Sequence, residues 1–413
     1  MRHDRAPIAA MMTTLAALSF AQGLLGQFVA QAIPLFLRDA GASSGQIAWI
    51  YLAAVPFVLR FVWGPLVDRT AGAARAGYGP WIVVTQVIAC LCLAALCLVE
   101  PRAALPLLTV LCAAMMLAVG SQQVATGGWM VALLPPDRHA RGPSVQAAAS
   151  ALAGLVLGGG ILAGLGDLGW APVVAAVLMV SGLVLLVPLV GAPLSIPVQA
   201  GARRPGLRSQ FTLFRDRRAR RLFGLAVFTG AACVIPYALK GVLLVDAGYT
   251  IAEAGLIGIV LGNIAGLVAA LAARPLTDRF GGYAVLCGLG IAAALVLVAF
   301  LATAGIATLP VRAAGLVIAA NALIFAGFTA ERALLIPLCA RARRATDYAV
   351  FTSLEALAAV VVGGAALALL DRAGLETVLG AGAFLSLFAA ALAAREVRAQ
   401  RLPKEVPTSC HPR

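Results

Sequence analysis

The chain is expected to be an all-α membrane protein of twelve transmembrane helices in two pseudo-symmetric six-helix bundles, and three observations carry that expectation. Gly64-Pro65-Leu66-Val67-Asp68-Arg69 recurs as Arg274-Pro275-Leu276-Thr277-Asp278-Arg279, an offset of 210 residues (64 to 274), and Asp39-Ala40-Gly41 recurs as Asp246-Ala247-Gly248, an offset of 207 (39 to 246). In 413 residues, such offsets mean that the second half repeats the first, as in carriers built from two equivalent bundles. The composition, 62% apolar and 12% charged with a mean hydropathy of +0.97, exceeds what the core of a soluble domain absorbs. Crossing the hydrocarbon takes about 20 apolar residues, and the sequence supplies runs at 8–37, 47–66, 81–99, 103–134, 143–165, 170–192, 222–245, 252–273, 283–303, 313–340, 348–370 and 375–394. Alternating strands of about 10 residues, the mark of a membrane barrel, are absent.

In order along the chain, residues 1–192 form the first bundle, 193–221 a basic linker, 222–394 the second bundle and 395–413 a polar tail. The first run is too long for the 7–15-residue core of a cleaved signal peptide, so an uncleaved first helix is expected. The linker breaks the apolar pattern with Pro197, Gly201, Pro205 and a dense arginine run, which is expected to anchor the loop and meet anionic headgroups. The tail carries no lipidation motif.

A net charge of +14 raises the question of nucleic acid, and its placement answers it. With the N-terminus cytoplasmic, 23 of the 31 Lys and Arg residues fall in inside segments, whereas outside loops hold only Arg38, Arg102, Arg312 and Arg372. This positive-inside bias is expected to put both termini in the cytoplasm and leaves no nucleic-acid surface. Seven of the eight cysteines lie inside helices, where cysteine acts as a small hydrophobe, and His3, His139 and His411 lie in tails or loops. Neither a disulfide framework, a resident metal site nor a cofactor loop is expected, and the absence of a nucleophile with a neighbouring base argues against an enzyme. Iron, if carried, would arrive already chelated.

Two six-helix halves, a basic linker and a Gly-x-x-x-Asp-Arg turn after helix 2 resemble the major facilitator superfamily over the whole chain. Residues 58–69 (VLRFVWGPLVDR), 78–86 (YGPWIVVTQ) and 345–354 (ATDYAVFTSL) are similar to its muropeptide permease and acetyl-CoA transporter branch. In SQQVATGGWMVALLP (121–135), Gln123 and Gly127 stand where that branch has acidic residues, so a coupling that used those carboxylates could not run through helix 4 here. The size, short loops and Ala-Thr-x-Gly-Trp segment look closest to inner-membrane siderophore permeases of the rhizobactin and pyochelin type. This resemblance implies a monomeric secondary transporter in the lipid bilayer whose small-molecule cargo is a ferric siderophore. A muropeptide importer, or a drug or metabolite exporter, is the alternative. Helix 5 reads GLVLGGG (154–160) without the Gly-Pro element common in exporters, which favours import.

Charged side chains inside a bilayer cost at least about 2.5–3.5 kcal/mol each at a helix centre, so each is a functional candidate. For cargo binding the candidates are Lys240 with Tyr237 on the same face; Asn321, Phe325, Phe328 and Arg332 at helical spacing; the amide pair Gln27 and Gln31; and, on helix 4, Gln123 together with the face formed by Gln122, Thr126 and Trp129. Lys240 could instead snorkel, the aromatic stripe could be packing, and the amides could be helix glue. For gating and coupling the candidates are Asp68 and Arg69 with their copies Asp278 and Arg279, and Arg60, Glu331 and Glu355, which fall at similar depth. An Arg60–Glu355 pair is expected to close the inner side, with Glu331 compensated by Arg332. Glu331 and Glu355 are the remaining candidates for proton uptake.

Overall fold

A computed structural model describes residues 5–401 apart from 43–45, 47–48, 51, 74–76, 102–103, 136–137, 166–167, 188–206 and 304–307. Most of the expected linker's first half and the tail beyond 401 therefore lie outside the described residues, as do Arg75, Arg102, Arg203 and Arg204. The described chain is helical, and its ten long apolar helices are Ile8–Leu37 (α1), Gly79–Leu96 (α3), Leu105–Leu133 (α4), Arg141–Leu165 (α5), Arg217–Lys240 (α7, continuing to Asp246), Glu253–Phe280 (α8), Gly282–Ala302 (α9), Leu309–Leu338 (α10), Arg344–Leu370 (α11) and Arg372–Gln400 (α12). The shorter Trp170–Leu186 (α6) and the segment 55–73 (α2) complete twelve.

The segment α2 departs from its expectation. The apolar run 47–66 is not one uninterrupted helix among the described residues. It passes from Val55–Val58 through a tighter 3₁₀ stretch, Leu59–Trp63, into Gly64–Ala73. Pro65 lacks the N–H that would bond the carbonyl four residues earlier, so the turn before it loses a rung and tightens. Two Asp-Ala-Gly copies end α1 and α7 in the same way. Gly41 and Gly248 adopt left-handed φ values of 77° and 90°. The following amides, of Ala42 and Tyr249, reach back to the carbonyls of Leu37 and Leu244 at 2.8 and 3.1 Å. Each is a helix stop built on a residue that tolerates positive φ. The repeat read from the sequence is thus a repeat of backbone geometry.

Helix starts use local chemistry as well. Asp216 caps α7 by accepting from the Arg218 amide at 2.7 Å. Thr250 and Glu253 bond each other's backbone amides reciprocally before α8, a capping box. Between the halves, Leu207–Arg215 forms a 3₁₀ helix that we call the linker helix.

Packing separates the two ends of the molecule. At the end carrying the linker helix, one apolar cluster draws on both halves, joining Leu15, Val67, Tyr78 and Trp129 to Leu222, Leu286, Tyr348 and Phe351. Toward the opposite end each half keeps its own cluster, Leu24 to Val177 in one and Ile235 to Ala383 in the other. Helices α5 and α8 form a continuous seam between halves, where Ser144 Oγ donates to the Ala270 carbonyl at 2.8 Å and a Cβ on Gly158 would meet Ile259 at 2.6 Å. The halves are sealed at the linker end.

Candidate functional site

A cavity of about 380 Å³ lies between the halves, with its floor on the sealed linker side. Gln22, Gln27, Gln123 and Gln146 line it from the first half, and Tyr237, Phe325, Phe328 and Arg332 from the second. Arg60, Glu331, Tyr348, Thr352 and Glu355 also reach it.

The lining from α10 follows helical spacing. Phe325 and Phe328 are an edge-to-face pair with centroids 6.3 Å apart, and the Arg332 guanidinium lies 4.2 Å above the Phe328 ring. An aromatic face holding a cation presents stacking surface and positive charge together. Asn321, at the same spacing, turns away. It is 3% exposed, donates to the Val317 carbonyl at 2.9 Å and packs against α8, where a Cβ on Gly262 would meet its Nδ2 at 2.8 Å.

On α1, Gln27 lines the cavity and donates to the Ser150 carbonyl at 3.1 Å, while Gln31 donates to Gln27 Oε1 at 2.7 Å. Gln31 orients Gln27 and is not itself in the lining. On α4 the expected face is rotated by one residue. Gln122 donates to Gln86 Oε1 at 2.7 Å and Thr126 accepts from Gln22 at 3.1 Å, so their stripe faces the interior of the first half. Trp129 belongs to that stripe, is 0% exposed in the shared apolar cluster and does not reach the cavity. Gln123 and Gly127 face the other half. A side chain on Gly127 would run into the Tyr348 ring, whose hydroxyl donates to Gln146 at 3.0 Å. The missing carboxylate of α4 therefore makes room for a tyrosine from the opposite bundle.

Tyr237 lines the cavity, whereas Lys240 stacks over the Tyr237 ring at 4.2 Å from outside the lining.

The expected Arg60–Glu355 pair is not the one that forms. Arg60, 5% exposed, donates to Thr352 Oγ1 at 3.1 Å and to the Phe57 carbonyl at 2.9 Å. Glu355 instead faces Arg332 at 3.6 Å, and Glu331 turns its carboxyl toward Glu355. Thr352 lies nearly one turn before Glu355 on α11, so the cross-half reach of Arg60 stops one turn short.

Asp68 links the two halves. Its Oδ1 accepts from Tyr78 Oη at 2.7 Å and the Ala345 amide at 3.1 Å, and its Oδ2 accepts from both the amide and hydroxyl of Thr346 at 2.7 Å. The carboxylate sits at the first turn of α11, where free backbone amides and the helix dipole favour an anion. Gly64 permits the approach, since a Cβ there would meet Thr346 Cα at 3.1 Å. Arg69 is exposed. The second copy makes no such clamp: Asp278 is exposed and pairs with Arg274 of its own helix at 3.6 Å, and Arg279 lies over the Phe280 ring at 5.1 Å.

Of the cavity residues described above, four were not singled out from the sequence. Tyr348 and Thr352 lie within the 345–354 motif that carried the resemblance, but nothing in a motif shows which side chains point inward. Gln22 and Gln146 had only their polarity in an apolar helix to mark them.

Residues 15–363 match the Major Facilitator Superfamily profile. The anhydromuropeptide permease of Escherichia coli K12 is 25% identical over 362 residues, covering 84% of this chain and 71% of the permease. Among solved structures, the human organic anion transporter MFSD10 (TETRAN) superposes with a TM-score of 0.67 at 16% identity, covering 94% of this chain and 99% of that one. A bacterial homologue of the iron transporter ferroportin, in an outward-facing state, gives 0.64 at 17% identity with 93% and 98% covered. With a family match over most of its length, twelve helices and a cavity between two repeated halves, this chain is a transporter rather than an enzyme and belongs to the major facilitator superfamily.

Proposed function

We propose that the chain is an inner-membrane secondary importer that carries an anionic, partly aromatic metabolite, a ferric siderophore of the pyochelin or rhizobactin type, from periplasm to cytoplasm by alternating access. The observation that carries this reading is the Arg332 cation stacked on Phe328 beside Phe325 in the cavity, a surface matched to an aryl group bearing a carboxylate or phenolate. In this reading the arginine-rich linker end is cytoplasmic, and the Asp68 clamp holds the inner side shut while the cavity receives cargo from outside. Release of the clamp and separation of the shared cluster would then open the other side.

A muropeptide importer is the second reading, favoured by the 25% identical permease and by the four glutamines of the lining, which suit amide and sugar groups. The deciding experiment offers a deletion strain radioiron-loaded pyochelin and, separately, a labelled anhydromuropeptide, with no redundant permease present. Loss of chelate uptake alone supports the siderophore reading. Loss of muropeptide uptake alone supports the second, and unchanged uptake of both with altered drug tolerance points to export.

A further inference from the structure

Among the described residues, four charged side chains reach the cavity lining, and all four sit together on its floor: Arg60, Glu331, Arg332 and Glu355. Glu331 and Glu355 are 3% and 8% exposed, and their carboxyl groups lie within hydrogen-bonding reach of each other. Two ionised carboxylates have no proton to place between them, so the contact is attractive only when one oxygen is protonated. The counter-cation is loosely held. Arg332 stands 3.6 Å from Glu355 Oε2, longer than a charge-assisted bond, and that buried oxygen accepts no hydrogen bond. The other groups facing the pair are Arg60, committed to Thr352 and Phe57; Tyr348, committed to Gln146; and Cys233, beside Glu331.

We propose that Glu331 and Glu355 share one proton, that this is the coupling proton of transport, and that Arg332 exchanges its hold on Glu355 for the anionic group of the cargo. The proposal deepens the import reading by assigning the coupling ion. With both carboxyls ionised the floor is neutral, because two arginines balance two glutamates. With the shared proton it carries one net positive charge, so an anion is attracted only after the proton has bound. The proton enters from the side opposite the linker and settles between the two carboxyls. The cargo anion then takes Arg332, both leave on the linker side once the inner seal opens, and the empty neutral floor returns. One proton accompanies each cargo molecule. Coupling thus sits on α10 and α11 of the second half, while α4, with Gln123 and Gly127, holds no carboxylate in the cavity.

Purified full-length protein in proteoliposomes tests this in two independent ways. Without cargo, infrared difference spectra between acidic and alkaline buffer should show a protonated-carboxyl band that disappears in both Glu331→Gln and Glu355→Gln and persists in Glu331→Asp. Survival of the band in both Gln variants would overturn the shared-proton site. With radioiron-loaded pyochelin, an inward proton gradient should drive accumulation in the wild type. Glu331→Gln should lose that accumulation while keeping exchange of labelled for unlabelled chelate. Gradient-driven accumulation by Glu331→Gln equal to wild type would overturn the coupling role. Failure of the wild type to take up the chelate at all would remove the siderophore reading, and the cargo-free band would still decide the proton site.

Discussion

Asp68→Asn should release the seal at the linker end without removing the cavity. The carboxylate accepts four hydrogen bonds, two on each oxygen, all with donors at 2.7–3.1 Å. An asparagine keeps one oxygen for two of those donors and turns an NH₂ toward the other two, so the pair lost is either Tyr78 with Ala345 or Thr346 twice. A hydrogen bond to a charged group contributes about 1.5–3 kcal/mol net, so losing two costs the sealed state about 3–6 kcal/mol. In the open state the same side chain faces water and loses little. At about 1.4 kcal/mol per factor of ten, even the low end shifts the population about a hundredfold toward the open form. Ala349, 1% exposed in the cluster shared by both halves, reports on this. In a background lacking the eight native cysteines, Ala349→Cys should react slowly with a membrane-permeant maleimide, and adding Asp68→Asn should raise the rate about tenfold or more. Labelling rates within twofold of each other, with transport unchanged, would refute the idea that the clamp sets the equilibrium.

The space above Gly127 is filled by the Tyr348 ring, so Gly127→Asp should overpack the floor by about 1–3 kcal/mol. It should depress uptake at normal membrane levels, and wild-type uptake would count against the packing argument. Gln86 accepts from Gln122 at 2.7 Å and donates to the Ser181 carbonyl at 3.1 Å, outside the cavity lining. Gln86→Leu should lower stability by about 1–3 kcal/mol through the unsatisfied partners, measured as a thermal shift in detergent, with cargo affinity unaltered. Finally, the arginine-rich linker predicts sidedness: single cysteines at Ser209 and Thr250 should be labelled by an impermeant thiol reagent from opposite faces of the membrane, and labelling from one face would sink the twelve-helix topology.

The fold was legible because a bilayer constrains sequence at long range. Apolar runs of membrane length, a two-fold repeat with Gly41 and Gly248 at equivalent stops, and arginines segregated by loop are each readable without contacts. The same holds for the individual polar groups in apolar helices, which have to be compensated: Arg60, Glu331, Arg332 and Glu355 were found from their cost alone, and all four meet in the cavity. Their partners were not legible. Depth along a helix is set by the 1.5 Å rise, but azimuth within a bundle depends on crossing angles and on which neighbour approaches.

Asn321 and Trp129 were placed by that missing angle. Both share the spacing of cavity residues, yet a close approach of Gly262 draws Asn321 to α8, and the shared cluster takes Trp129. The tertiary structure also decided that Arg332 rather than Arg60 meets Glu355, and that Asp68 clamps α11 whereas its repeat, Asp278, stays on its own helix. Sequence thus determined the number of helices, their repeat and the inventory of buried charge, since these follow from what one helix owes to the lipid around it. Only the packing of one half against the other decided who partners whom, because a partner a few ångströms away is fixed by all the side chains between two helices and by none of them alone.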